Sequence, residues 1–179
     1  MRAFVHGSLL IILTGMVAGC CCNKAGKSDV LPVTQAADAS AGVMQSGGSN
    51  VLRLTPPAHT TCAAKDGFLK LTSPQFELDV WLVPGASTVD AAVGSVGTQI
   101  TSEFKDFKPD QTTDLTIAGA PAKRLAGTGH EADDGDNGQA DLVVFKVGDH
   151  IFVALTHDEA LPATARQGML ATVQTAEAP

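Results

Sequence analysis

Three consecutive cysteines form the most reactive stretch of the sequence. They stand in residues 17–23 (VAGCCCN) at the end of a short apolar run, and the chain has one further cysteine, Cys62. A cysteine thiolate can receive a lipid, form a disulfide or bind a metal ion. The residues around each cysteine distinguish among these roles.

The N-terminus has the three parts of an export signal. Arg2 supplies a positive charge, residues 8–17 (SLLIILTGMV) form an apolar segment, and small residues precede Cys20. Of the three adjacent cysteines, only Cys20 follows a valine, an alanine and a glycine in turn. The apolar segment is shorter than the roughly 20 residues that span a bilayer. An uncleaved signal anchor is the alternative interpretation.

The VAGC stretch resembles the lipobox of bacterial lipoproteins, in which the cysteine receives diacylglycerol. The resemblance implies a signal peptide over residues 1–19 and lipidation of Cys20, and two or three acyl chains such as palmitate suffice for stable anchoring. The next residue is Cys21 rather than aspartate. This implies an outer-membrane anchor facing the periplasm, with the outer face of the cytoplasmic membrane as the alternative.

The remaining cysteines are Cys21, Cys22 and Cys62, an odd number for an oxidising compartment. A disulfide from Cys21 or Cys22 to Cys62 would close a loop of about 41 residues. A structural zinc site needs four ligands, and His59 is the only local addition to three thiols. The sequence therefore predicts a possible disulfide and no metal site at these cysteines.

The acidic segment 130–141 (HEADDGDNGQAD) carries the densest set of oxygen ligands. Asp133, Asp134, Asp136 and Asp141 are weak calcium candidates, because carboxylates beside glycines can hold Ca²⁺. The segment does not fit the spacing of an EF-hand loop in either register. The favoured interpretation is an acidic hairpin tip whose Asp-Gly and Asn-Gly pairs supply the turn geometry.

Catalytic patterns are otherwise missing from the sequence. It has no G-x-S-x-G motif, P-loop or dinucleotide fingerprint. His150 and His157 lie at opposite ends of one predicted strand, roughly 20 Å apart at ~3.3 Å per residue, so they cannot share a metal. The alternative function is an envelope hydrolase or metal-dependent enzyme that uses His130, His157 and the acidic loop 131–141. We otherwise expect no enzyme activity and no cofactor.

Composition divides the chain into an anchor, a linker and one domain. The net charge is −7 and no basic run occurs, which argues against nucleic acid as a partner. Residues 20–62 are rich in Ala, Gly and Ser without sustained periodicity, and they are predicted to be the lipid anchor and a flexible linker. Residues 63–177 are predicted to be the folded domain.

Hydrophobic periodicity predicts an α+β fold for that domain. Apolar residues at three- and four-residue steps predict a helix from Val89 to Phe107, ended by Pro109, in which Gly94 and Gly97 permit close approach to a sheet. Strands apolar on both faces indicate an antiparallel sheet covered by helices on each side. The predicted order is β-β-α-β-β-β-β-α, with strands at 68–71, 76–83, 114–119, 122–129, 140–147 and 150–157 and a last helix at 162–175.

Three stretches resemble the PsbP-like and DcrB-like family: residues 117–125 (IAGAPAKRL), 143–157 (VVFKVGDHIFVALTH) and 168–173 (GMLATV). The resemblance implies an antiparallel α/β/α sandwich that does non-catalytic work, and it supplies no catalytic residues. Together with the lipobox it predicts a lipid-anchored cell-envelope protein with a binding or assembly domain. Its expected partners are the membrane, through the N-terminal lipid, and an envelope protein.

Overall fold

The computed structural model describes residues 33–35 and 41–179. The predicted signal peptide, Cys20, Cys21 and Cys22 lie outside the described residues. Among the described residues, no helix is both long and apolar enough to cross a bilayer. The elements are β1 (Val33–Gln35), β2 (Gly42–Ser46), β3 (Ser49–Leu54), β4 (Thr61–Lys65), β5 (Phe68–Thr72), β6 (Glu77–Leu82), α1 (Val89–Gln99), β7 (Phe104–Ile117), β8 (Ala120–Glu131), β9 (Asn137–Val147), β10 (His150–Asp158) and α2 (Ala163–Val173).

Eight strands form one antiparallel sheet in the order β1-β4-β5-β6-β10-β9-β8-β7, and β2 and β3 pair as a separate hairpin. Strands make up 53% of the described residues and helices only 16%. The predicted α+β fold class, an α/β/α sandwich in the order β-β-α-β-β-β-β-α, is therefore wrong. The chain has additional strands before the first predicted one, and the two helices found among residues 33–35 and 41–179 have eleven residues each.

The sheet separates two hydrophobic cores. The core under α1 contains Trp81, Val96, Phe104, Leu142 and Val153 among its buried residues. The core on the other face packs α2 and the β2–β3 hairpin against alternate residues of the same strands. Because strand side chains alternate between faces, the central strands are apolar on both sides. Trp81 is 8% exposed and its ring centroid lies 5.4 Å from that of Phe68, so it is a core aromatic.

The predicted long helix is wrong beyond its first half. Helix α1 begins after Thr88, whose side chain accepts a hydrogen bond from the backbone N–H of Ala91, and it ends at Gln99. Phe104, predicted to be helical, instead begins β7. Pro109 lies inside this strand, where it is tolerated because β7 is at the edge of the sheet.

The folded part begins earlier than the predicted boundary at Ala63. Residues 42–54, predicted to be linker, form the β2–β3 hairpin, and Met44, Leu52 and Leu54 are fully buried in the core beside α2. Gly42 lies against Leu71 so closely that an added Cβ would be 2.9 Å from the leucine Cδ2. A flexible linker cannot extend to Cys62, because the chain is packed from Gly42 onward.

The last hairpin and the last helix agree with the prediction. Strands β9 and β10 pair from His150 opposite Val147 to Asp158 opposite Gln139, and Gly148 in the turn has φ = 57°. Helix α2 begins after Pro162 and buries Ala165, Met169 and Val173. This hairpin lies at the centre of the sheet and fixes where His157 points.

Candidate functional site

Several ionisable side chains meet at one end of the sheet. Asp79 lies early in β6, His157 late in β10 and Glu131 at the end of β8, while Glu103 immediately precedes β7. Because these strands are antiparallel, such positions fall at the same end of the sheet. One ligand atom from each of Asp79, Glu103 and His157 lies within 4.8 Å of those of the other two. We call these three residues the Asp79 cluster.

Asp79 is the buried member of the cluster. It lies on the α1 face, as Trp81 does two residues later, and its side chain is 1% exposed. Its Oδ1 has no hydrogen-bond partner within the part of the chain that the structure describes. Lys70, directly opposite on β5, brings its Nζ to 3.8 Å from this oxygen, too far for a hydrogen bond.

The surroundings of Asp79 favour its protonated form. Burial raises the pKa of the Asp79 carboxyl to about 7, against the opposing effect of the Lys70 ammonium. The carboxylates of Glu103 and Glu77 raise the pKa further. Lys70 also pairs with Glu77 at 2.5 Å, so its charge is shared between two carboxylates. The negative charge of the buried Asp79 carboxylate is thus only partly balanced by the Lys70 ammonium.

His157 is oriented by a carboxylate and an aromatic ring. Its Nδ1 lies 3.3 Å from Oε1 of Glu131, and both side chains are 18% exposed. The Phe104 ring packs against the imidazole with centroids 5.6 Å apart. A proton on Nδ1 donated to Glu131 leaves the lone pair on Nε2. In that tautomer the imidazole is a metal ligand or a proton acceptor.

Two glycines make room for the ring that supports His157. Gly129 and Gly138 face each other across β8 and β9. A Cβ on Gly129 would lie 2.4 Å from Cε1 of Phe104, and one on Gly138 would lie 3.0 Å from Cε2 of the same ring. These glycines therefore provide space for Phe104, and through it they fix the position of His157.

The short segment after α1 places Glu103. The backbone N–H of Glu103 donates to the carbonyl of Ile100 at 2.9 Å, and its own carbonyl accepts from the N–H of Ala132 at 3.0 Å. Hydrogen bonds therefore hold both the N–H and the carbonyl of Glu103 in place. Its side chain is partly exposed, so solvent reaches the cluster from this side.

His130 lies outside the cluster. It is adjacent to Glu131 on β8, so its side chain points to the opposite face of the sheet. There it lines an open cleft of about 430 Å³ together with Asp106, Lys108 and Glu159 among other residues. The predicted pairing of His130 with His157 is therefore not found in this geometry.

The fold separates the exposed aspartates of the acidic loop from Asp141. Glu131, Asp133 and Asp134 bring one oxygen each within 4.8 Å of the other two, and both aspartates are exposed. The carboxylates of Asp133 and Asp134 accept backbone N–H bonds from Asp134 and Asp136, respectively, at 2.9 Å, as expected for a turn. These short-range bonds are the ordinary use of aspartate in a loop.

Asp141, the last calcium candidate, is fully buried in β9 and paired with Arg124. Arg124 Nε donates to both carboxylate oxygens at 2.9 and 3.0 Å, and this hydrogen bonding raises the pKa of the guanidinium. The pair lies on the α2 face, because Val143, two residues along the strand, belongs to that core. Asp141 is thus separated from the exposed aspartates of the loop.

Cys62 is fully buried in β4, opposite Leu71 of β5. It packs in the core beside α2 and the β2–β3 hairpin. Its predicted partners Cys21 and Cys22 lie outside the described residues, so the disulfide stays a prediction, as does lipidation of Cys20.

Comparisons with known proteins add a distant structural similarity. No family model matches the chain, and no curated protein matches it. A crystal structure of a protein of unknown function, PA94 from Pseudomonas aeruginosa, is similar with a TM-score of 0.41 and 14% identity, covering 73% of this chain and 90% of that one. The resemblance to the PsbP-like and DcrB-like family stays a prediction.

Proposed function

We propose that this chain is a lipid-anchored cell-envelope protein whose folded domain binds an extended segment of another envelope protein along strand β7, without catalysis. The observation that carries the proposal is the regular half of β7 from Gln111 to Ile117, in which residues 111–114 are exposed at the edge of the sheet. The lipobox cysteine, Cys20, supports an anchor in the outer membrane facing the periplasm, with the outer face of the cytoplasmic membrane as the alternative.

Strand β7 is one edge of the eight-stranded sheet and has fourteen residues. Residues 108–114 are all exposed. An edge strand offers unpaired backbone N–H and C=O groups, to which an extended peptide can add as a further strand. Such binding takes its affinity from the main chain and its specificity from alternate side chains.

The two halves of β7 differ in how well they are protected against pairing with a strand of another protein. In the first half, the register with β8 shifts between Lys105 and Lys108 and again between Pro109 and Gln111. Bulges, lysines and proline are the usual protection of an exposed edge. From Gln111 to Ile117 the pairing with β8 is continuous and the strand contains neither lysine nor proline. This second half is the binding surface that we propose.

The separation of His130 from His157 favours a binding role over the alternative enzyme. The predicted hydrolase or metal-dependent enzyme needed both histidines with the acidic loop. In the fold His157 contacts Glu131, whereas His130 lines a cleft on the other face. The cleft is open and polar, unlike the apolar and largely enclosed sites typical of small-molecule ligands.

Photo-crosslinking in intact cells tests this proposal. A photoreactive side chain at Thr113 should give an adduct of one defined mass, and the same group at Thr98, exposed on α1, should give none. A second substitution, Thr112→Lys, should reduce the Thr113 adduct at least tenfold, because an edge lysine opposes strand addition. In a Cys20→Ala arm, the chain should lose its acyl mass and remain unprocessed.

Equal adducts at Thr113 and Thr98, or an adduct that Thr112→Lys does not reduce, would exclude the edge as the binding surface. A wild-type chain that is cleaved and carries no lipid would exclude the anchor. The two parts of the proposal are thus tested by separate readouts.

A further inference from the structure

We propose that Asp79, Glu103 and His157 bind one divalent first-row transition-metal ion, of which Zn²⁺ is the representative. The inference is independent of partner binding at β7, because the two sites use different residues: Glu103 precedes the first residue of β7, whereas the binding surface is its second half. It rests on the donor set, on the buried oxygen of Asp79 that receives no hydrogen bond, and on the contact between His157 and Glu131.

The donor set selects the class of metal. One imidazole nitrogen and two carboxylate oxygens lie within 4.8 Å of one another. Ca²⁺ and Mg²⁺ prefer oxygen ligands alone, whereas Zn²⁺ and its first-row neighbours accept imidazole together with carboxylate. Three protein ligands leave a coordination position for water. The cluster is therefore suited to Zn²⁺ rather than to Ca²⁺.

The unpartnered oxygen of Asp79 distinguishes this cluster from an ordinary acidic patch. The side chain is 1% exposed, and no described group donates a hydrogen bond to its Oδ1. A buried polar atom without a partner is costly, and buried carboxylates are normally paired or bound to metals. A cation between Asp79, Glu103 and His157 would supply the missing partner.

The charge balance around Asp79 also favours a cation. Glu77 and Glu103 act on Asp79 directly, Glu131 contacts His157 of the same cluster, and Lys70 faces Asp79 from β5. Lys70 is already held by Glu77 at 2.5 Å. The carboxylates therefore outnumber the neighbouring positive charge, and a divalent ion would reduce the repulsion among them.

Glu131 acts as a positioning residue in this proposal. Metal-bound histidines almost always donate their other ring N–H to a carboxylate or carbonyl, which fixes the tautomer. The 3.3 Å contact between His157 Nδ1 and Glu131 Oε1 has this arrangement. It leaves Nε2 as the ligand atom, and the Phe104 ring restrains the rotation of the imidazole.

Closure around an ion requires a small movement. The ligands of a tetrahedral zinc ion lie about 3.3–3.6 Å apart, since the bonds are about 2.0–2.2 Å long. One ligand atom from each residue of the Asp79 cluster lies within 4.8 Å of the other two, so an approach of at most about 1.5 Å reaches these separations. Glu103 can make this approach because its side chain is partly exposed. The same exposure gives the ion a route into the site.

Cobalt titration of the purified full chain in detergent tests the proposal. The chelator-treated protein carries Cys21→Ser and Cys22→Ser, so that these thiols do not bind the probe. Visible absorption should show saturable binding of one Co²⁺ per chain, without a thiolate charge-transfer band, and Zn²⁺ should displace it. His157→Gln and Glu103→Gln should each weaken binding at least tenfold, and Glu131→Gln should weaken it about 10- to 100-fold.

Two matched substitutions serve as controls. His130→Gln removes the histidine on the other face, and Asp134→Asn removes a carboxylate of the exposed loop; both should bind Co²⁺ as the parent chain does. Circular dichroism melts confirm that each variant is folded. Glu103→Gln keeps the test decisive if His157→Gln unfolds, because Glu103 is only partly buried.

The proposal is overturned by the absence of saturable binding, by equal binding in His157→Gln and Glu103→Gln, or by loss of binding in Asp134→Asn. The Thr113 adduct should be unchanged in His157→Gln. Failure of metal binding with an intact adduct would therefore refute the metal site alone, and the converse result would refute the proposed function alone.

Discussion

Asp79 and Asp141 are both buried aspartates, yet their surroundings are opposite. Asp141 faces the α2 core and receives two hydrogen bonds from Arg124 Nε. Asp79 faces the α1 core, and its nearest cation is the Lys70 ammonium at 3.8 Å. Removing the carboxylate charge should therefore stabilise the protein at Asp79 and destabilise it at Asp141.

We expect Asp79→Asn to stabilise the metal-free protein at pH 8 by about 2–4 kcal/mol and to change little at pH 4. The folded carboxyl, with a pKa of about 7, keeps a proton that the unfolded carboxyl releases above its usual pKa of 3.8. The wild-type free energy of unfolding should therefore fall as the pH rises between these values. Urea unfolding at several pH values, with chelator present, measures both effects.

Asp141→Asn is the matched control and should destabilise the protein by about 2–4 kcal/mol at pH 8. It breaks a buried ion pair and leaves Arg124 without its partner charge. Arg124 is 30% exposed, which reduces the cost. If both asparagine variants shift the free energy of unfolding in the same direction, the two aspartates do not have the opposite surroundings described here.

The sequence predicted only part of the Asp79 cluster. His157 is a candidate from the sequence, as is Glu131, which contacts it from outside the cluster, because histidine and the dense acidic segment are visible locally. Asp79 carries no such signal, because Glu77 and Asp79 alternate with apolar residues in the strand predicted at 76–83, a pattern that indicates a solvent-facing side. Helix α1 and neighbouring strands bury that face, and such long-range packing has no local signal.

At the level of elements, the change from helix to strand after Gln99 shows the limit of periodicity. Ile100, Phe104 and Phe107 continue the three- and four-residue spacing of α1, so the pattern predicts a longer helix. In the fold, Phe104 enters β7 opposite Glu131 and fills the space above two glycines. Pairing with β8 decides the conformation, and this partner is distant in sequence. The β9–β10 hairpin was predictable because its turn is local.

Two glycine substitutions should have opposite effects on stability. Gly129→Ala should destabilise the protein by about 2–3 kcal/mol, because the new Cβ would lie 2.4 Å from the Phe104 ring and 2.5 Å from the Lys105 carbonyl oxygen. Gly94→Ala should stabilise it by about 0.5–1 kcal/mol, since alanine favours helix and nothing lies within 4 Å of the added Cβ. Denaturant unfolding of both variants measures these changes.

The Gly94→Ala variant also tests the expectation that α1 approaches the sheet closely at its glycines. Gly94 and Gly97 are exposed and have open space around them, so that expectation is wrong. A destabilised Gly94→Ala variant, or a Gly129→Ala variant as stable as wild type, would contradict the packing described for these elements.

At the level of the whole molecule, the β2–β3 hairpin completes the core beside α2. Its antiparallel bonds with residues near the C-terminus join the two ends of the domain: the Arg53 N–H donates to the Glu177 carbonyl at 3.0 Å, and the Glu177 N–H donates back at 3.1 Å. The sequence did not predict this, because residues 23–61 have a linker-like composition. Only tertiary contacts identify Met44, Leu52 and Leu54 as core residues.

A chain shortened to begin at Ala63 should therefore lose its cooperative fold. Met44, Leu52 and Leu54 are fully buried, and burial of each such side chain contributes about 1.5–3 kcal/mol. Their combined loss, about 5–9 kcal/mol, is comparable with the total stability of an ordinary domain. The deletion also removes Thr61 and Cys62 from β4 and exposes Leu69 and Leu71. We expect binding of a hydrophobic dye and a non-cooperative urea transition.

A chain that begins at Ala41 is the matched control, because it lacks the predicted anchor and the residues that precede the hairpin but keeps all of β2 and β3. It should unfold cooperatively and bind no dye. If the chain from Ala63 unfolds as cooperatively as the chain from Ala41, with the same midpoint, then the hairpin contributes nothing to the core and residues 42–62 are a linker after all. Leu52→Ala and Leu54→Ala should each lower the free energy of unfolding by about 2–5 kcal/mol. That result would assign part of the stability lost in the chain from Ala63 to these buried side chains.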